Sequence, residues 1–232
     1  MRSDNVMVFG MAAVALAVAM VFGVRAGDLS PPSGAVAPTM KTLHDVEPRT
    51  PLANDFVGLN PLVINAPGSY YLTEEIFGFG GQHAIQITSD DVTLDLNGFA
   101  VRGNIEVLAL DGIHLDSGRR NIVIHSGIVR DFGQEGIDGD GTEGVIVRDV
   151  IAFNNGLSGT GSGIRLGDNS MALGCIGQSN AGVGVHTGFQ SVMRECLASD
   201  NGSDGLFINA GVAFGCVSST NGQDGLQSNR GV

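Results

Sequence analysis

From Pro61 onward the chain alternates apolar and polar positions in short bursts. Val92, Leu94 and Leu96 alternate with polar residues in VTLDLNGF (Val92–Phe99). Strand-like runs also occur at PLVI from Pro61, at Gly68-Ser69-Tyr70-Tyr71-Leu72 and at AIQI (Ala84–Ile87). A period of two predicts strands with one face buried. After Gly81 the chain rarely runs five residues without a Gly, Asn or Asp. A helix loses roughly 1 kcal/mol for each interior Gly relative to Ala, so long helices are excluded there. Short strands joined by tight turns are not.

These bursts form a repeat. A Gly followed by an aliphatic residue recurs at Gly112-Ile113, Gly136-Ile137, Gly163-Ile164, Gly184-Val185, Gly205-Leu206 and Gly225-Leu226. A second column runs through Val150, Cys175, Cys196 and Cys216, and a third through Asn155, Asn180, Asn201 and Asn221. Three columns in phase predict a solenoid with coils of about twenty-one residues. Each coil then comprises three short strands, each paired in parallel with its equivalent one coil away. No coil buries its apolar residues alone, so equal positions stack into a continuous core. The Asn column is expected at a left-handed turn, with each amide bonded to the Asn above and below. Neighbouring Gly156, Gly202 and Gly222 are expected to ease that turn.

The repeats resemble those of the right-handed parallel β-helix superfamily, the fold of pectate lyases, polygalacturonases and many bacterial surface proteins. The leading PTMKTLHDVEPRTPL, PGSYYLT and DDVTLDLNGFAVRG are similar to the N-terminal parts of secreted bacterial β-helix proteins of unassigned activity. The resemblance covers residues 38 to 232. It implies an all-β, right-handed parallel β-helix, and it implies little about function, because this fold hosts unrelated activities. The N-T-D, G-H-G and R-I-K signatures of polygalacturonases are not found, and the one Lys of the chain, Lys41, precedes the repeats.

Ahead of the repeats the chain reads differently. Residues 1–26 are expected to be a signal peptide: Arg2 leads an uncharged run from Val6 to Val24, followed by Val24-Arg25-Ala26 as a small-x-small cleavage pattern. That run is long enough to serve as a retained anchor instead. Residues 27–60 hold most of the prolines and are expected to be a linker, with one helical turn around Thr39–Val46. The β-helix is expected over residues 61–232, with regular coils from near Gly81. The net charge is −12, and loss of Arg2, Asp4 and Arg25 with the leader makes it −13. Such a surface disfavours nucleic acid, which calls for basic patches. It also disfavours acidic polysaccharide unless a divalent cation lies between.

Candidate chemistry follows from the aligned coils. The residue after each inward aliphatic points outward, giving the column His114, Asp138, Arg165, His186, Phe207 and Gln227. Two residues on, Asp116, Asp140, Asn209 and Asn229 form a second column. The set His114, Asp138, Asp140, Arg165 and His186 is the candidate catalytic constellation. Asp138 and Asp140 have a separation suited to the acid and base of an inverting glycosidase. Asp116, Asp138 and Asp140 are alternatively candidate Ca²⁺ ligands, leaving Arg165 for a substrate carboxylate. The enlarged coil at Leu157–Ser162 is expected to be a flexible loop just before Arg165. Equally, polar outward residues are what any solvated β-helix face carries.

Other residues are less pointed. Cys175, Cys196 and Cys216 are expected to be free, buried thiols in one stack. His44, His83 and His125 are expected to be isolated surface residues, and Phe207 to be an exposed aromatic able to stack on a sugar. The sequence stops at Gly231-Val232 part-way through a coil, which reads as an open or truncated end, or as an end-to-end docking site for another β-helix. The functional reading is a secreted carbohydrate-binding or scaffold module. Its alternative is a polysaccharide lyase, hydrolase or epimerase acting on an extracellular glycan through the Asp/His/Arg face.

Overall fold

The computed structural model describes residues 48–54, 61–104 and 110–230. The expected leader, the helical turn at Thr39–Val46 and His44 lie outside the described residues. Within them, nineteen strands form one sheet that winds as a parallel β-solenoid of about seven turns, with no helix. Coils lie about 23 residues apart rather than 21. The early coils are longer, and only the last three steps keep the short period.

The expected inward column exists and starts earlier than the Gly-aliphatic repeat. Leu62, Ile85, Ile113, Ile137, Ile164, Val185, Leu206 and Leu226 are direct partners from rung to rung. Ile85 through Leu206 are at most 1% exposed, whereas Leu226, the last member, is 41% exposed. Burying each such side chain stabilises by roughly 1.5–3 kcal/mol. The other two faces have their own inward columns. One runs through Leu94, Ile124, Val147, Ala172 and Met193, the other through Ile76, Val101, Val129, Ala152, Gly177 and Ala198.

The recurrent Gly has a steric cause. At Gly163 a Cβ would lie 2.6 Å from the Asn180 amide nitrogen and 2.6 Å from the Gly184 carbonyl oxygen. No side chain fits between the rung and the Asn ladder. That ladder forms as expected: Asn155 Nδ2 donates to Asn180 Oδ1 at 3.0 Å, Asn180 to Asn201 at 3.0 Å, and Asn201 to Asn221 at 2.9 Å. The left-handed residue, however, is the one before each Asn. Asn154, Ser179, Asp200 and Thr220 have φ of 53–58°, so the ladder Asn itself is free to turn its amide inward. Of the adjacent glycines only Gly156 has a positive φ, at 82°. Gly202 and Gly222 instead sit where a Cβ would meet a carbonyl oxygen of the preceding coil at 2.3 Å.

Two boundaries differ from expectation. Thr50–Leu52, inside the stretch expected as linker, is already a strand and pairs with Tyr70–Leu72. The enlarged coil at Leu157–Ser162 is tied down rather than loose. Leu157 and Ser158 N–H groups donate to the Phe132 and Gly133 carbonyls at 3.1 and 2.9 Å, and Gly182 N–H donates to Gly161 at 2.9 Å. The three cysteines are free, with Cys175 and Cys196 buried and Cys216 half-buried. Their thiols donate to backbone carbonyls, Cys175 to Val147 at 3.4 Å and Cys196 to Ala172 at 3.3 Å.

Candidate functional site

The strands Ile85–Ile87, Ile113–Leu115, Ile137–Glu143, Ile164–Asp168, Val185–Arg194 and Leu206–Phe214 build the face on which the candidates stand. Their outward residues stack as Gln86, His114, Asp138, Arg165, His186, Phe207 and Gln227, each in register with the next. The outward column is therefore one row, about 4.8 Å per step. A register shift between Gly139 and Glu143 interrupts pairing with the next strand. Asp140 stands in that interruption, freed from the sheet.

The row divides into two groups. In the first, His114 Nδ1 lies 3.1 Å from Asp111 Oδ2 and 3.3 Å from Asp138 Oδ2. His83 lies on the same carboxylate, Nδ1 to Asp111 Oδ2 being 3.0 Å, and its ring stacks on that of His114 with centroids 4.2 Å apart. His83 is thus not an isolated surface residue. The hydrogen bonds to Asp111 and then Asp138 push the His114 imidazole up to about 10. Burial alone would raise the Asp111 carboxyl, but hydrogen bonds from His114 and His83 outweigh it and hold it down at about 2. Glu135, 17% exposed, is pushed up to about 7 by burial and by the nearby Asp111 and Asp138 charges.

The second group surrounds Arg165. Its Nη2 donates to Asp140 Oδ2 at 2.9 Å, and Nη1 lies 3.9 Å from Glu135 Oε1. His186 packs edge-on against Phe207 with centroids 4.7 Å apart. Phe207 is accordingly half-buried rather than exposed. Burial first, and then the Arg165 charge, lower the His186 imidazole to about 4. An open groove of about 580 Å³ runs beside this group, lined by residues that include Asp140, Arg165, Asn169, His186, Phe189 and Asn209. Arg165 Nε and His186 Nε2 are buried atoms with no hydrogen-bond partner among the described residues.

The three carboxylates expected to share calcium have side-chain partners in the structure, and His114 contacts two of them, Asp138 and, at 3.9 Å from Nε2, Asp116. Asp116 accepts from Gln86 Nε2 at 2.8 Å, Asp138 faces His114, and Asp140 faces Arg165. The backbone N–H of Asp140 donates to Asp138 Oδ1 at 3.1 Å. Asn229 donates to Asn209 at 2.9 Å, continuing the second column as an amide ladder. His125 is also not isolated: its Nδ1 is 3.4 Å from Asp95 Oδ1, and burial lowers the imidazole.

Sequence reasoning missed His83, Asp111 and Glu135 as site residues, although a signal was present. Extending each aligned coil one residue upstream of the Gly gives Asp111, Glu135, Ser162, Val183, Asp204 and Asp224. Ala84 takes the Gly position one coil earlier, which puts His83 at the head of that column. Asp111 Oδ1 accepts the Glu135 N–H at 3.0 Å, as Asp204 Oδ1 accepts the Asp224 N–H at 2.9 Å. In that upstream column Asp111 and Asp204 are buried, and their carboxylates grip the next coil.

No protein-family model matches the chain, and no curated protein matches it. Among solved structures it is similar to a protein of Parabacteroides merdae ATCC 43184, provisionally described as a glycosyl hydrolase. The two are 11% identical with a TM-score of 0.32, and the match covers 70% of this chain and 83% of that one. A likeness of that size leaves substrate and chemistry to the site itself.

Proposed function

We propose that this chain is a secreted β-helix protein that binds an extracellular glycan along the face centred on Arg165. The observation that carries the reading is the groove beside Arg165. There the exposed ring of Phe189 stands with Arg165, Asp140, Asn169 and Asn209, which come from successive coils. An exposed aromatic gives a sugar ring an apolar face to rest on, and planar charged and amide groups bond its hydroxyls in fixed directions.

A second reading rests on Glu135. A carboxyl pushed up to about 7 is about half protonated at neutral pH, and the protonated form can give its proton to a leaving oxygen. With Asp138 and Asp140 on the same coil, that chemistry is polysaccharide hydrolysis or elimination. A glycan-array and depolymerisation screen with and without Ca²⁺ separates the two. Binding without chain shortening is expected. Chain shortening that Glu135→Gln abolishes establishes the enzyme instead, and neither binding nor shortening overturns both.

A further inference from the structure

We propose that His83, Asp111 and His114 form a three-residue binding site for a divalent transition metal of the zinc class, with Asp138 beside it and a coordination position left open. Asp111 Oδ2 lies 3.0 Å from His83 Nδ1 and 3.1 Å from His114 Nδ1, and Asp138 Oδ2 lies 3.3 Å from His114 Nδ1. The three donor atoms of His83, Asp111 and His114 all fall within 4.8 Å of one another. A tetrahedral ion with bonds of about 2.0–2.1 Å holds neighbouring donors about 3.3 Å apart. These separations are close to that edge length before any ion is placed.

The hydrogen bonding points the same way. His83 Nδ1 sits between the Asp111 backbone N–H, at 3.3 Å, and Asp111 Oδ2, at 3.0 Å, and in any one protonation state it can satisfy only one of them. His114 Nδ1 meets two carboxylate oxygens and can give a proton to only one of them. A cation bound to Asp111 Oδ2 and to both Nδ1 atoms removes the conflict over protons at that carboxylate. Asp111 is pre-positioned for it, being 2% exposed with Oδ1 committed to the Glu135 N–H, so that only Oδ2 is presented.

Two imidazoles with one carboxylate and an open position suit zinc, whereas calcium takes oxygen ligands. The site is thus distinct in chemistry from an all-carboxylate calcium set. The rings of His83 and His114 lie 13° from parallel. Their lone pairs therefore run side by side, and closing on one ion takes a turn of either ring about its soft χ2 torsion. The ion would stand beside Asp138, one rung from Arg165, adding positive charge to an acidic face.

The test strips the full chain of metal with a chelator and titrates Co²⁺ by visible absorption and Zn²⁺ by calorimetry. One equivalent per chain, an intense tetrahedral Co²⁺ band and a raised Tm are expected. His83→Ala and His114→Ala should each weaken Zn²⁺ binding tenfold or more, while His125→Ala leaves it intact. Long-range ¹⁵N–¹H spectra of the wild-type chain supply a readout independent of variant folding: Zn²⁺ should move the Nδ1 signals of two imidazoles, and His125→Ala should leave both moved signals in place. Absence of the Co²⁺ band, binding indifferent to His83→Ala, or Zn²⁺ shifts confined to other histidines overturns the proposal.

Discussion

Asn180→Ala removes one step from the middle of the Asn ladder. Asn180 Oδ1 accepts from both the backbone N–H and the Nδ2 of Asn155 at 3.0 Å, and its Nδ2 donates to the Ala152 carbonyl at 3.1 Å. All of this is buried, Asn155 and Asn180 each being 1% exposed. The substitution strips the buried Asn155 N–H of its acceptor and the Ala152 carbonyl of this donor. An unsatisfied buried group costs about 1–3 kcal/mol, so the pair should cost about 2–6 kcal/mol. Asn221 makes the equivalent bonds to Asn201 but is half-buried. Water can replace it there, and Asn221→Ala should cost about 1 kcal/mol. Urea unfolding followed by circular dichroism gives both losses from the midpoint, provided the slope m is unchanged. Equal losses at the two positions, or less than about 1 kcal/mol at Asn180, would refute the claim that the ladder's buried amides hold the coils together.

Further outcomes follow from the same structure. His186 is lowered to about 4, below its unfolded value near 6.5. Between those values the unfolded chain binds the extra proton, so stability should fall as pH drops from about 6.5 to 4, by at most about 3 kcal/mol. His186→Asn should flatten that acid limb, and an unchanged limb argues against the buried neutral ring. The Cys196 thiol is raised to about 12 and that of Cys216 is raised as well, each by the neighbouring thiol and by burial. Thiol reagents should react slowly in the folded state and fast in denaturant, and mass spectrometry should find no bridge. Ile164→Asp puts an unpaired charge at a fully buried position of the inward column, and should abolish cooperative unfolding. Native-like stability in that variant would show that Ile164 is not in the core.

The columns were legible because a solenoid writes the same residue at the same place in every coil. Ile113 through Leu226, the thiol stack and the Asn ladder all follow from in-phase repeats alone. The row His114, Asp138, Arg165, His186 was legible too, since alternation sets which side faces out. What hid was anything that broke phase. Ala84 in place of Gly masked the coil carrying His83, and so separated His83 from Asp111 in the reading. The left-handed corner residue escaped because Asn154, Ser179, Asp200 and Thr220 share no residue type, only a position. The environment of Glu135 was illegible for another reason: its raised proton affinity comes from burial beside Asp111 and Asp138, which belongs to the folded packing and not to any spacing.

Calorimetric titration of an array-selected oligosaccharide shows whether the Arg165 face holds a glycan. Phe189 is 41% exposed, with the Arg230 guanidinium 5.7 Å from its ring, so removing the ring should leave the fold intact. Phe189→Ala and Arg165→Ala should each weaken binding by about 1–3 kcal/mol, roughly ten- to a hundredfold in Kd. Binding that survives both substitutions unchanged would place the ligand elsewhere and contradict the account.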